Sequence, residues 1–399
     1  MNLTRANNLS IKNQNLGLVL SMIRAEQPVS RAQLSRETGL SRSTVSQLAS
    51  FLIASGIVEE VGSGRSLGGR RPVLLQINPR GRLVCAIHVD DSGEILARTE
   101  DLRGSVVDQA ASRVEDPQML LGKLTAVVGK LVSYRPELLA ATAVALPGIV
   151  SAEGEIVSAV NLGWRDIPVA EPLSRLLRVP VLAENATGLA AFGELVARKA
   201  GMQSLMYIRI GSVVGAGIVS NQEPHRGLRG STAEIGHMVV DPGGSVCRCG
   251  RRGCLETKVS RRALWQDLMS RARDKDEASF VDALPTEATV FEWLVEHDST
   301  DFPLAQDLLK QAAQHVATAL VNVLNLIGPE AIVVESPLCS SQSFWKTVQG
   351  TVDAESLPFA NGKGQLLQSS LGEDAVLRGA AAYALRYFYE QSWLAAGEL

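Results

Sequence analysis

The spacing His237-x9-Cys247-x-Cys249-x4-Cys254 is the tightest constraint in the chain. It puts three of the five cysteines within eight residues, interleaved with Gly250 and Gly253. One neutral imidazole and three thiolates form a soft, tetrahedral donor set of the kind zinc takes. Glycines let so short a loop fold its sulfurs around one ion. Four protein ligands leave no open coordination position, so the expected role is structural rather than Lewis-acid. The plainer alternative is a set of buried thiols beside an unrelated histidine. Cys85 and Cys339 stand apart and read as core residues. Clustered rather than paired cysteines in 399 residues suit a reducing compartment.

The first residues, Met1-Asn-Leu-Thr-Arg5, have no apolar run of the signal-peptide kind. The longest uncharged stretch, 311–329, includes Gln311, Gln314, His315, Thr318, Asn322 and Asn325 and reads as an amphipathic, buried helix. A soluble, cytoplasmic protein is expected. Its length allows roughly two to three domains at about 100–200 residues each.

Charge divides those domains. The whole chain carries −3, yet residues 1–80 hold ten basic and four acidic side chains, so this head is +6 and the remainder −9. A basic head on an acidic body is the asymmetry of a part that meets phosphates joined to a part that stays soluble, although chance surface bias gives the same count. Three helical patterns fit the first 55 residues. Leu16, Leu18, Val19, Leu20, Met22 and Ile23 mark the first, which Pro28 ends. Ser30 caps a short second helix over 31–38, Gly39 breaks it, and Ser41 caps a third over 42–54. This is a helix-turn-helix arrangement. In the third helix Val45 and Leu48 should point inward, leaving Arg42, Ser43, Thr44, Ser46 and Gln47 outward for base edges and phosphates. A solvated helix face is the alternative.

Two apolar segments, 56–61 and 73–77, flank the Gly/Arg-rich stretch 62–72, as in a wing. Arg65, Arg70 and Arg71 on this tip, together with Arg31, join the candidate DNA contacts; arginines on such an arm suit a narrow, negative minor groove. A flexible interdomain linker would have similar composition. In either case the boundary falls near Asn78-Pro79-Arg80.

The metal loop carries two nearby carboxylates, Glu234 and Glu256, which with Asn185 could fork onto adjacent hydroxyls of a sugar. Spacing alone is equally satisfied by surface charges. The segment Glu234-Ile-Gly-His237 followed by Cys247-Arg-Cys-Gly-Arg-Arg-Gly-Cys-Leu-Glu256 resembles the signature of the ROK (repressor, open reading frame, kinase) family. Leu146-Pro-Gly148, Asn161-Leu-Gly-Trp164 and Val376-Leu-Arg-Gly-Ala380 resemble further segments of it, so the similarity covers nearly the whole chain. The winged-helix head is similar to the repressor branch, with its xylose and N-acetylglucosamine repressors, rather than to the head-less sugar kinases.

The resemblance implies an α/β chain: an N-terminal winged helix-turn-helix (1–80) plus a two-lobed, actin-like (ribonuclease H-like) sugar-kinase fold. Its first lobe would span 81–195, closed by a C-terminal helix over 376–395, and its second 196–375. It implies zinc on His237, Cys247, Cys249 and Cys254. It also implies a sugar meeting Gly148, Asn161, Asn185, Glu234, His237 and Glu256, with the histidine serving metal and sugar through its two ring nitrogens. A homodimer or homotetramer is expected from it.

The chain departs from the kinase pattern in four places. Glu184-Asn185-Ala186 replaces Glu-Asn-Asp, so the general base is missing. The first phosphate hairpin, Asp-x-Gly-Gly-Thr in the family, is here His88-Val-Asp-Asp-Ser92 or, shifted, Asp90-Asp-Ser-Gly-Glu94, and neither register has two glycines followed by threonine. The second, Gly-Thr-Gly-x-Gly, is Gly211-Ser-Val-Val-Gly215, and a later Gly-Gly is Glu335-Ser336. Phosphotransfer is therefore not expected, and neither is a catalytic residue. The same alanine removes a sugar contact worth about 1.5–3 kcal/mol. The expected function is a sequence-specific DNA-binding regulator, a repressor of carbohydrate-utilisation genes, responsive to a sugar or sugar derivative. Control by a protein partner instead of a sugar, and an active sugar kinase, are the competing readings.

Overall fold

The computed structural model describes residues 3–63, 71–198, 201–274, 284–298, 302–357 and 365–390. The head begins with α1 (Leu3–Glu26), which ends just before Pro28. A two-residue strand, β1 (Val29–Ser30), follows; the sequence patterns do not announce it. Ser30 then caps α2 (Arg31–Thr38), its Oγ accepting the Gln33 N–H at 3.2 Å. Gly39 takes the left-handed conformation at φ 73° that closes α2. Ser41 caps α3 (Arg42–Ala54) through the Thr44 N–H at 3.1 Å. Strands β2 (Val58–Ser63) and β3 (Val73–Ile77) complete an antiparallel sheet of order β1-β3-β2. Leu20, Ile23, Leu34, Val45, Leu52, Leu75 and Ile77 fill the core beneath it.

The junction after the head is tight. Asn78 donates its amide to the Gly56 carbonyl (2.8 Å), Arg82 bonds the Ser55 carbonyl (3.1 Å), and the Arg24 guanidinium lies 4.4 Å from the centre of the Tyr389 ring. Tyr389 in turn donates to the Leu102 carbonyl at 2.7 Å. The head accordingly belongs to one compact unit, Met1–Glu184 with Ala380–Leu399.

The rest of that unit is a five-stranded sheet with its helices. In chain order it contains β4 (Leu83–Val89), β5 (Glu94–Asp101), β6 (Val106–Arg113), α4 (Leu120–Leu131), β7 (Leu139–Leu146), β8 (Ile149–Val150), β9 (Glu155–Ala159), β10 (Trp164–Pro168), α5 (Ala170–Leu177) and β11 (Val181–Asn185). The sheet runs β11-β7-β4-β5-β6, with β4–β5–β6 antiparallel and β7 parallel to β4. Strands β8–β10 form a separate small sheet.

The second unit, Asn185–Gly379, repeats the plan. It comprises α6 (Ala186–Arg198), β12 (Leu205–Ile210), β13 (Val214–Ser220), β14 (Glu223–Pro224), α7 (Glu256–Val259), α8 (Arg261–Asp274), α9 (Val290–Glu296), α10 (Pro303–Leu326), β15 (Ala331–Glu335), α11 (Gln342–Glu355) and β16 (Gln365–Gln368). The last helix, α12 (Ala375–Glu390), starts here and continues into the first unit. The sheet order β14-β13-β12-β15-β16 is again third-second-first-fourth-fifth, antiparallel among the first three strands and parallel thereafter. Two such sheets in one chain are the duplicated core of the actin-like fold.

The division between units falls at Glu184/Asn185, earlier than the 195/196 boundary expected from the sequence. The reason is α6, which packs on β12 and β13 and so travels with the second sheet. It meets the start of α12 glycine to glycine: a Cβ at Gly379 would overlap the Leu189 carbonyl, and one at Gly193 would sit 2.7 Å from that of Ala375. Helix α10 lies where the uncharged stretch suggested, with Leu308, Ala312, Val316 and Leu320 in the core. No helix among the described residues is long and apolar enough to cross a membrane.

Candidate functional site

The metal-type cluster is built by a knuckle between the 3-10 turn Ile235–His237 and α7. Isolated bridges Val239–Cys254 and Val246–Arg252 close it, and the Gly250 N–H bonds the Cys247 carbonyl at 2.9 Å. Gly253 is obligatory, because a Cβ there would overlap the Asp241 carbonyl and its φ is 71°. The ligand atoms of His237, Cys247, Cys249 and Cys254 all lie within 4.8 Å of one another. Cys249 and Cys254 sulfurs are 3.7 Å apart, and the Cys247 sulfur is 3.6 Å from His237 Nδ1. A tetrahedron with metal–sulfur bonds of about 2.3 Å has edges of about 3.8 Å, so the donor set fits a zinc-sized ion. Burial pushes the Cys254 thiol up to about 12. The Arg251 backbone N–H and then its side chain hold the exposed Cys249 near 6. A cation must displace the proton that Cys254 holds, so its affinity should fall as pH is lowered.

Strand β13 gathers the polar side chains nearby. The Val214 N–H donates to Glu256 Oε2 at 3.2 Å, and the turn that carries Glu234 and His237 packs its Gly236 directly on the Val214 carbonyl. Ala233, immediately before Glu234, is held at φ 56°, a conformation that costs an alanine about 1–2 kcal/mol. Glu234 is exposed along its length, yet its carboxyl is crowded enough that desolvation raises its pKa. His237 opposes that rise, and the Glu256 carboxylate adds to it. Asn185 reaches the same strand through Thr187: its Oδ1 accepts the N–H groups of Thr187 and Gly188, and the one Thr187 hydroxyl proton is shared between Asn185 Oδ1 (2.5 Å) and the Ala216 carbonyl (2.6 Å). The Asn185 oxygen thus caps α6, and a ligand contact by this residue would be a donation from Nδ2. Asn185, Glu234, His237 and Glu256 are brought together around one strand.

Gly148 and Asn161 belong to the other unit. Gly148 has φ 72° between β7 and β8, and a Cβ would strike Ala159 Cα at 2.8 Å. Asn161 lies in the turn between β9 and β10, and Gly148 just before β8 of the same small sheet.

In the head, Val45, Leu48, Ala49 and Leu52 of α3 are buried, while Arg42, Ser43, Ser46 and Gln47 are exposed and Thr44 half-buried. Arg31 is half-buried and pairs with Glu60 of β2 at 3.0 Å. Arg71 is exposed just before β3; Arg65 and Arg70 lie outside the described residues.

Residues 83–387 match the ROK family, and residues 12–59 match a winged helix-turn-helix DNA-binding family. The chain belongs to the ROK family. It is 29% identical to the xylose repressor of Bacillus spizizenii, over 95% of this chain and 97% of that one. A glucokinase of Halalkalibacterium halodurans is 30% identical over 242 residues, 58% of this chain and 72% of its own length. Among solved structures, a ROK family transcriptional regulator described as a homolog of the E. coli MLC protein superposes with a TM-score of 0.83 at 24% identity, covering 96% of this chain and 98% of its own.

Two turns that depart from the ROK kinase pattern bond within themselves. Asp90 Oδ1 accepts the N–H groups of Ser92 and Glu94 and the Ser92 hydroxyl, each at 2.8 Å, and the Gly93 N–H bonds the Asp90 carbonyl. The N–H groups of Ser92 and Glu94 in the β4–β5 turn are thereby taken by a carboxylate of the chain. In the β12–β13 turn the Gly211 N–H bonds the Val213 carbonyl at 3.0 Å.

Three contributors escape a reading by motif. Thr187 is announced only by the Asn-x-Thr spacing at the start of a helix. Val214 contributes through its backbone, for which no residue type is a marker. His315 of α10 faces Lys258 and Asp241, which pair at 2.6 Å behind the metal knuckle. Burial, then Lys258, lowers its pKa. A histidine depressed on folding contributes stability above its unfolded pKa of about 6.5 and loses it as pH falls below. His315→Gln should therefore lessen the stability lost between pH 7 and pH 5.5, by at most about 1.4 kcal/mol per pH unit. Denaturant midpoints of the two proteins at both pH values measure it; parallel losses would refute the assignment.

Proposed function

We propose that this ROK protein is a transcriptional repressor of carbohydrate-utilisation genes, working in the cytoplasm, that reads operator DNA with its winged helix and answers to a sugar or sugar derivative. Arg42, Ser43, Thr44, Ser46 and Gln47 would address base edges and adjacent phosphates, and Arg65, Arg70 and Arg71 the neighbouring backbone or minor groove. Arg31 reaches a phosphate by leaving Glu60, an exposed pair worth about 0–1 kcal/mol. Two copies, each contributing a winged helix over about residues 1–80, would read a pseudo-palindromic site.

The sugar would be held by Asn185 Nδ2, Glu234, Glu256 and His237, with Gly148 and Asn161 contributing from the other lobe. His237, Cys247, Cys249 and Cys254 would hold zinc, which would supply no reaction chemistry and would fix the orientation of the imidazole. No catalytic residue is assigned. Ala186 carries a methyl group where the kinases need a base, and the first turn's N–H donors already hold Asp90. The loss of one charged hydrogen bond at Ala186 weakens a sugar by about 1.5–3 kcal/mol without abolishing it.

The observation that carries this reading is the face of α3: guanidinium, hydroxyls and amide exposed at the start of the second helix of a helix-turn-helix whose opposite face is fully buried. Footprinting on DNA selected from a random pool tests it. A protected, two-fold symmetric site is expected, with log affinity falling linearly in log salt. Uniform, sequence-independent protection at physiological salt would contradict it.

A further inference from the structure

A cavity of about 540 Å³ opens in the second unit behind the metal knuckle, walled by Ser245–Arg248, α7, α8 and α10. Of the candidate sugar residues it includes only Glu256; Asn185, Glu234 and His237 do not line it. Its volume is that of a small-molecule site, which typically spans about 300–1,000 Å³. The lining is unlike an apolar drug-type pocket, because it is mostly polar.

Four cations, Arg248, Lys258, Arg262 and Arg271, face two carboxylates, Glu256 and Asp267. These charges have different roles. Arg271 is tied by both nitrogens of its fork to Asp267, Asp307 and Gln311 at 2.6–2.8 Å, so it is a strut of the far wall. The single carboxylate that Lys258 meets, Asp241, lies outside the cavity, and an ammonium has three donors. Arg262 stands exposed at the mouth, on the first turn of the fourteen-residue α8. Around them are the hydroxyls of Ser212, Ser245 and Thr257 and the amides of Gln266 and Gln311. A lining that joins these cations to hydroxyl and amide groups and to the apolar Leu264, Leu308 and Ala312 matches a ligand with an anionic group on a polar body.

We propose that this cavity is a second effector site that takes a phosphorylated small metabolite, with Arg262, Lys258 and Arg248 on the phosphoryl group. It shares Glu256 with the candidate sugar site but none of Asn185, Glu234 and His237, and its existence does not depend on the operator-reading proposal. Cys247 and Glu256 belong to both its wall and the knuckle, so an occupant presses on the loop that positions His237. The two sites are thermodynamically linked through that loop, and each ligand changes the affinity of the other by the same factor.

Isothermal titration of the zinc-loaded, full-length protein with inorganic phosphate and with fructose 1,6-bisphosphate, at matched ionic strength, tests this. Saturable binding of the bisphosphate is expected, with weaker binding of phosphate. Arg262→Glu, at an exposed position that the fold does not need, should weaken it at least tenfold. Gln266→Trp, also exposed, should block it. Glu234→Gln should leave it unchanged while impairing sugar binding. The proposal is overturned if neither probe saturates, if binding survives both cavity variants, or if Glu234→Gln alone removes it, which would assign the anion to the sugar site.

Discussion

Replacing Arg42 and Gln47 together by alanine should lower operator affinity by about 10²- to 10⁴-fold, from two base-directed contacts at about 1–3 kcal/mol each. Both side chains are exposed on α3 and neither contributes to the buried face formed by Val45, Leu48 and Leu52, so the head should keep its melting behaviour. Binding to random DNA should fall far less, because it rests on phosphate neutralisation spread over the whole basic head. Arg71→Ala makes the contrast: affinity for all sequences should drop and the log–log salt slope should shrink by about 0.9. Fluorescence anisotropy on specific and random duplexes separates the two effects. A double variant that loses specific and random binding equally would mean that α3 is not the reading helix.

Cys254→Ser should cost the metal site about two to three orders of magnitude in zinc affinity, taking one ligand's share of the roughly 10–16 kcal/mol typical of structural zinc. Cys254 is fully buried at the base of the knuckle and backs directly on Val239, and the next residue bonds Met238, so the loss should loosen the segment that presents Glu234 and His237. Sugar binding should disappear with the metal, although neither Glu234 nor Glu256 has been touched. Cys339→Ser, at a thiol that burial first and the Glu335 carboxylate second push up to about 12, should leave zinc content unchanged. Metal analysis and ligand titration on the purified proteins check both. Undiminished sugar affinity in the zinc-depleted protein would remove the metal from the account.

Much of this arrangement is legible in the chain itself, for local reasons. Ser30, Gly39 and Ser41 each do their work within three or four residues, so the ends of α2 and α3 follow from residue type alone. The ligand set of the knuckle is equally local from Cys247 to Cys254. Strand β1 is not legible, because two residues carry no periodicity and its partner Leu75 lies far along the chain. The unit boundary is hidden for a similar reason: α6 looks like the end of one αβ repeat, but its side chains face β12 and β13. The occupied β4–β5 turn is half legible. Its missing glycines are plain in Asp90-Asp-Ser-Gly-Glu94, whereas the use of Asp90 as internal acceptor for that turn emerges only from geometry. The cavity behind the knuckle is invisible in sequence, since its walls come from segments as distant as Ser212 and His315.

Operator affinity measured with and without a saturating sugar tests the central claim most directly: that occupancy of the Asn185–Glu234–Glu256–His237 site moves the DNA reader. A panel including D-xylose, D-glucose and N-acetylglucosamine should yield one ligand that shifts operator affinity about 5- to 150-fold, the range of ordinary coupling energies. The shift should vanish in Glu234→Gln while sugar-free operator binding is kept. Identical operator affinity with and without every sugar that binds the protein would contradict the account.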